Sequence, residues 1–230
     1  MSGNTITPSA LNTPNSGSPT MPSQWELFYR SFVANRGAVL GLFALLILVF
    51  VAIFANVLAP HNPLQLYTGK EQLPPAWLEG GDARFFLGTD DAGRDTLSRV
   101  MHGTRYSLFI GLAATLLSAI VGVCLGLAAA FWPNRLGRVI MLFNDILMSY
   151  PSLLLAIVIA AILGPSMTNT IITIALVCLP PFIRLTRATA MVELQRDYVT
   201  ASRVMGAGTL RLLFVTILPN CLAPLIVQAT

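Results

Sequence analysis

Between Ala38 and Ala59 the chain carries no charged side chain. A helix over that run reaches roughly 33 Å, enough to cross the hydrocarbon of a bilayer. The rival reading is a cleaved signal, but a signal's apolar region is about 7–15 residues. This run is longer, lies well inside the chain and ends in Pro60-His61-Asn62-Pro63. It is read as a spanning helix.

The pattern repeats. Leu108–Trp132 is a second uncharged run, and its Gly122-x-x-x-Gly126 spacing puts two small residues on one face where another helix can approach. Ile146–Leu163 is a third, interrupted by Pro151 and closed by Gly164-Pro165. Thr168–Ile183 is a fourth, meeting Pro180-Pro181, which either kink the helix or end it. Leu213–Thr230 turns apolar again and reads as the start of a fifth span. Kinks at Pro151, Pro180, Pro181 and Pro219 require neighbours, because backbone groups freed by proline stay unsatisfied in lipid unless protein or water meets them. Only 10% of residues are charged and the mean hydropathy is +0.71, against about 25% charged in soluble domains. The chain is therefore an all-α membrane protein in which lipid is itself a partner.

Between the spans the chain is polar. Residues 1–24 are rich in Ser, Thr, Asn and Pro and read as a disordered tail. Trp25, Leu27, Phe28, Phe32 and Val33 form one apolar face beside Arg30 and Arg36, which suits a short helix on the membrane surface. Pro60–Arg105 is a polar extramembrane stretch. Within it the spacing predicts a helix over Asp90–His102, with Asp90/Arg94 and Asp95/Arg99 as i,i+4 pairs, Asp90 and Asp91 at its N-terminus and an apolar face of Leu97, Val100 and Met101. His102 caps or lines a helix end. The organisation is thus the tail, residues 25–105 with the first span, and residues 106–230 with the remaining spans.

The net charge of +4 raises the question of an acidic partner, but no basic stripe with interleaved aromatics points to nucleic acid. A cytoplasmic N-terminus puts Arg30, Arg36, Arg135, Arg138, Arg184, Arg187, Arg196, Arg203 and Arg211 inside. The opposite side then has Lys70, Arg84, Arg94, Arg99 and Arg105, spread among acids. The tail is accordingly placed in the cytoplasm.

Candidate chemistry is sparse. Gly88-Thr-Asp-Asp-Ala-Gly93-Arg94-Asp95 has the glycine spacing of a phosphate-binding loop, but Arg94 stands for the Lys and Asp95 for the Ser/Thr, while Asp90 and Asp91 repel an anion. Cys124, Cys178 and Cys221 fit no zinc or redox spacing and read as packing residues; His61 and His102 complete no metal motif. Asp145, at the predicted start of the third span, stabilises a helix N-terminus. No catalytic cluster is present, so any ATP is hydrolysed on another chain.

The informative polar region spans about residues 192–212. Asp197-Tyr-Val-Thr200-Ala201-Ser202-Arg-Val-Met-Gly206-Ala-Gly208 reads as two short helices joined at glycines, with Gly206 and Gly208 permitting the bend and Thr209 capping the second. Such an elbow is either a docking knob or a solvated connector. It resembles the Glu-Ala-Ala loop of permeases in binding-protein-dependent importers of the ATP-binding cassette (ABC) superfamily. Ala201, Gly206, Leu218 and Pro219 match that pattern, whereas Thr200 stands at the Glu position and Ser202 at the second Ala.

Phe86-Leu-Gly-Thr-Asp-Asp-Ala-Gly-Arg-Asp-Thr-Leu-Ser-Arg99 and Asp145-Ile-Leu-Met-Ser-Tyr-Pro-Ser-Leu-Leu-Leu-Ala156 resemble the peptide/nickel permease group. Arg196-Asp-Tyr-Val-Thr-Ala-Ser-Arg203 and Leu218-Pro-Asn-Cys-Leu-Ala-Pro-Leu-Ile-Val-Gln228 are most similar to dipeptide permeases of the C-subunit type.

The resemblance implies a type I importer transmembrane domain with four complete spans here, the start of a fifth and six in full. It implies a dipeptide or short-peptide path in a bacterial inner membrane. Its partners would be a second permease, two cytoplasmic ATPases carrying ATP and magnesium, and a periplasmic binding protein. This chain would hold no cofactor or metal and no catalytic residue. Asp197, Thr200, Ala201, Ser202, Gly206 and Gly208 would form the ATPase-coupling loop. A nickel permease is the alternative within the group, a membrane-anchored sensor or enzyme outside it.

Overall fold

The computed structural model describes residues 24–230, so the tail Met1–Ser23 lies outside the described residues. The chain divides after Leu48 into two compact units. The first contains α1 (Gln24–Ala34) and the opening half of α2 (Arg36–Leu58). The predicted short helix forms as α1, with Phe28 stacked on Phe32 at 6.1 Å and Arg30 donating to Glu26 at 2.6 Å. In α2 nearly every side chain is exposed, Leu40, Phe43, Leu46 and Phe50 among them, which suits a helix whose solvent is lipid.

The second unit is built on α3 (Thr96–Phe131) and α6 (Met167–Glu193), its most extensively packed pair. Small residues let them meet. Ala114, Ser118, Gly122 and Gly126 recur every fourth position along α3 and are all buried. A Cβ on Gly122 would lie 2.5 Å from Phe182 Cβ, and one on Gly126 would lie 2.5 Å from Thr186 Cβ and 2.8 Å from the Ile183 carbonyl. Ser118 Oγ donates to its own helix at Ala114 and across to the Ala175 carbonyl at 2.8 Å. The Gly-x-x-x-Gly pair is thus the centre of a longer seam.

Among the described residues four helices are long and apolar enough to cross a membrane: α2, α3, α6 and the stretch Thr209–Ala229. The third predicted span differs from expectation. Its residues divide between α4 (Arg135–Met148) and α5 (Ser152–Leu163), bent by 97° at Ser149–Pro151, so that only the pair together makes a fifth candidate. Pro151 is the N-cap of α5, which is where a residue lacking an amide hydrogen sits without loss. Asp145 is correspondingly in the last turn of α4 and not at a helix N-terminus; it pairs with Arg184 at 3.1 Å. Pro180 and Pro181 do not end α6, which runs on to Glu193.

Among the described residues of 59–95 there is no strand, only an isolated bridge between Thr89 and Asp95. The predicted Asp90–His102 helix starts late, at Thr96. Asp90 Oδ1 accepts the Ala92 and Arg94 amides, Gly93 has φ +73°, and Asp95 in extended backbone caps α3 through the Ser98 amide. The Asp90–Arg94 pair forms at 2.9 Å, but Arg99 also joins Asp90 and leaves Asp95 to His61 and Ser98. The Arg94 amide, followed by that of Ala92 and the Arg94 guanidinium, pulls the Asp90 carboxyl down to about 2.

The phosphate-loop glycines also find their reason here. A Cβ on Gly88 would lie 2.2 Å from the Leu73 carbonyl, and one on Gly93 would lie 2.5 Å from that of Tyr67. They let two chain segments cross. Phe85, Tyr67 and His61 form the small aromatic core of this segment, with centroids 5.0 to 5.5 Å apart. His102 does not cap α3 but sits in its second turn, Nδ1 near the Ser98 carbonyl and Nε2 near Asn56, so that it lines the C-terminal end of α2.

Candidate functional site: the elbow after the sixth helix

After α6 the chain turns at Leu194–Arg196 into α7 (Asp197–Val204), passes Met205–Gly208, and continues as α8 (Thr209–Arg211), a π-helical segment (Leu212–Ile217) and α9 (Leu218–Ala229). The two-helix elbow is therefore present. Its bend is set by a single residue. Ala207 N–H donates to the Ser202 carbonyl at 3.1 Å and Gly206 N–H to that of Arg203 at 3.0 Å. With Gly206 at φ +83° this is a Schellman stop, and only glycine adopts that backbone freely. Gly208 has an ordinary φ of −66° and is the N-cap of α8, so Thr209 is the first helical residue and caps nothing with its side chain.

One side of the elbow is anchored. Val199 is buried with Leu212, Leu213, Ile217 and Cys221 against Leu127 of α3 and Ala190 of α6. Arg203 lies over the Phe131 ring at 5.9 Å. Tyr198 donates its hydroxyl to Glu193 and accepts from Asn220 Nδ2 at 3.1 Å, tying the ends of α6, α7 and α9 together. Burial, then the Glu193 carboxylate, raises the Tyr198 pKa, so the phenol remains a donor.

The other side is free. Thr200 and Ala201 are exposed, as are Val204 and Met205, each 83%, and Leu210 at 70%. Asp197 opens α7 as an acid in the first turn, where it suits the helix dipole, and Ser202 is half-buried. Of the predicted coupling residues, Asp197, Thr200, Ala201, Ser202 and Gly206 thus fall on one short helix and its stop, with Gly208 opening the next. Sequence reading missed the Glu193–Tyr198–Asn220 chain and the exposed Val204, Met205 and Leu210. Three apolar residues in a segment otherwise rich in arginine were the available signal.

At Pro219 the helix is rearranged and not simply kinked. Leu218 N–H reaches back five residues to the Leu213 carbonyl, and Asn220 Nδ2 donates to the Thr216 carbonyl at 2.9 Å. Proline in the first turn of α9 has no amide hydrogen to continue the ladder, and a π turn with a side-chain donor takes up the difference. Pro224, inside α9, is a further interruption.

A long glycine-seamed helix pair followed by an extramembrane elbow invites comparison with known transport proteins. Residues 122–230 match the family described as binding-protein-dependent transport system inner membrane component. Residues 23–75 match the N-terminal TM domain of oligopeptide transport permease C. The di/tripeptide transport system permease protein DppC of Pseudomonas aeruginosa is 57% identical, the match covering 91% of this chain and 69% of that protein. The dipeptide transport system permease proteins DppC of Haemophilus influenzae and Escherichia coli are 48% and 50% identical, over 95% and 92% of this chain and 74% and 71% of theirs.

The chain belongs to the binding-protein-dependent permease family.

It is a permease subunit of a peptide ABC importer, a multi-pass inner-membrane component and not an enzyme. Such a permease works with ATPase and substrate-binding partners. The α3–α6 seam and the elbow are accordingly parts of an importer's transmembrane domain.

Proposed function

We propose that this permease conducts dipeptides and other short peptides inward, paired with a second, non-identical permease, two cytoplasmic ATPases and a periplasmic binding protein. Its N-terminus and elbow are cytoplasmic, and residues 60–95 face the binding protein. ATP and magnesium are held by the ATPases. What supports the dipeptide reading is the names of relatives 48 to 57% identical over nearly all of this chain. What supports the coupling role is the elbow, a rigid helix stop with exposed Val204, Met205 and Leu210 on one side and a packed Val199 on the other.

In this mechanism the chain performs no covalent step. The ATPase grips the apolar side of α7, and closure of the ATPase pair moves the elbow. Tyr198, Glu193, Asn220 and the Val199 cluster make α7 one body with the ends of α6 and α9. Displacement at Met205 therefore reaches the α3–α6 pair as rigid rocking of packed helices. Deleting the gene in a dipeptide-dependent auxotroph lacking other peptide importers should abolish growth on the dipeptide and spare growth on the free amino acid. Continued dipeptide use there would reject the substrate reading. Replacing Val204, Met205 and Leu210 by serine should lower both ATPase stimulation and uptake in an assembled complex, and unchanged values would make the elbow a connector only.

A further inference from the structure

Where α6 leaves its apolar stretch, a cavity of about 470 Å³ opens between α4 and α6. Arg138, Met141, Leu142 and Asp145 of α4, Arg187 of α6 and Pro133 of the preceding turn line it. The charges do not balance. Asp145 is already engaged by Arg184 at 3.1 Å, and neither the Arg138 nor the Arg187 side chain has a hydrogen-bond or ion-pair partner among the described residues. The Arg187 Nε–H is buried and bonded to nothing. A buried, unpaired guanidinium donor is costly and calls for an acceptor.

We propose that this cavity holds the phosphate of an anionic phospholipid headgroup between Arg138 and Arg187. A phosphate diester accepts bidentate bonds from a guanidinium and neutralises the two unmatched charges. The cavity lies at the depth a headgroup needs, where the uncharged part of α6 gives way to Arg184 and Arg187. Its apolar wall favours a lipid over a free anion. Met141 and Leu142 continue into exposed Phe143 and Ile146, a surface on which acyl chains can lie and for which inorganic phosphate has no use. The proposal rests on α6 crossing the membrane as part of the permease. It does not depend on which peptide is carried.

The test is native mass spectrometry of the full-length importer complex after exchange into phosphatidylglycerol or phosphatidylcholine. Wild type should retain phosphatidylglycerol, and the Arg138→Gln/Arg187→Gln complex should retain it roughly tenfold less. Phosphatidylcholine should bind both weakly and alike. If the glutamine pair does not assemble, Arg138→Lys/Arg187→Lys should retain an intermediate amount. Equal phosphatidylglycerol retention in wild type and the assembled variants overturns the site. Release of the lipid by millimolar inorganic phosphate makes it a free-anion site and overturns the lipid assignment. A photoactivatable label on Leu142→Cys that crosslinks to a neighbouring subunit and not to lipid overturns it too. Peptide uptake measured on the same preparations reports separately on the permease reading.

Discussion

Gly126 and Gly206 are the same residue used for opposite reasons. Gly126 sits in ordinary helix, and what it supplies is the absence of a Cβ, which would strike Thr186 and the Ile183 carbonyl. Gly206 has open space where its Cβ would be, and what it supplies is φ +83°. The seam therefore needs a small residue and tolerates no volume, whereas the elbow needs a backbone and tolerates volume. In a membrane, where close van der Waals packing replaces the hydrophobic effect between helices, the first kind holds the molecule together. The second kind shapes the exposed elbow, which the proposed coupling role assigns to the ATPase.

Volume added at the seam should do the most damage. Gly126→Ala overpacks the α3–α6 contact at a cost of about 1–3 kcal/mol, and Gly126→Leu should prevent assembly. Yield and thermal midpoint of the purified full-length complex read this, and a normal midpoint for Gly126→Leu would break the close-packing half of the contrast. Backbone change at the elbow comes next. Gly206→Val forces a β-branched residue into the left-handed region at about 1–2 kcal/mol, enough to undo the Schellman stop without undoing the fold. That complex should assemble and lose most peptide-coupled ATPase stimulation. Gly206→Asn, which accepts positive φ, should keep it. Loss in both would mean that the partner leaves no room for a side chain there.

A smaller effect is expected from Asp95→Ala in the extramembrane segment, which removes the α3 cap at about 1 kcal/mol and strands His61. Faster proteolysis between residues 60 and 95, with transport retained, would be the sign. The mildest effect concerns acidity. Because folding holds Asp90 down to about 2, below its ordinary carboxylate value, its contribution is complete above about pH 4. It is lost as pH falls through the folded value. The segment's protease resistance should be flat from pH 5 to 8 in an Asp90→Asn comparison, and converge with wild type only near pH 2.

The features legible from residue order alone divide along the same line. Uncharged runs gave the α2, α3 and α6 helices because lipid demands continuous backbone bonding, and period-four glycines marked the seam. The 97° bend was not legible. Pro151 suggested a kink, but that α4 reaches back to Arg135 depends on packing through Gly137 and Asn144, both buried. The late start of α3 was hidden for a related reason. Asp90/Arg94 is a good helical pair by spacing, yet a left-handed Gly93 stood between them and turned the pair into a loop clasp. At the elbow the glycines were visible, but Gly208 proved ordinary, and the Tyr198 chain joins residues too far apart in sequence to be inferred from spacing.

The π segment at Leu212–Ile217 sets the rotational phase of α9. A π turn takes in one residue more than an α turn, and neighbouring residues on a helix are about 100° apart. Continued as plain α-helix from the elbow, α9 would present Asn220 and Pro224 inward. The extra residue advances that address by one, and Cys221 and Leu225 enter the core instead, exposed to 0% and 5%. Asn220 is thereby left at the rim, free to hold Tyr198. The same six residues thus act as a vernier between the elbow and the apolar helix that follows it.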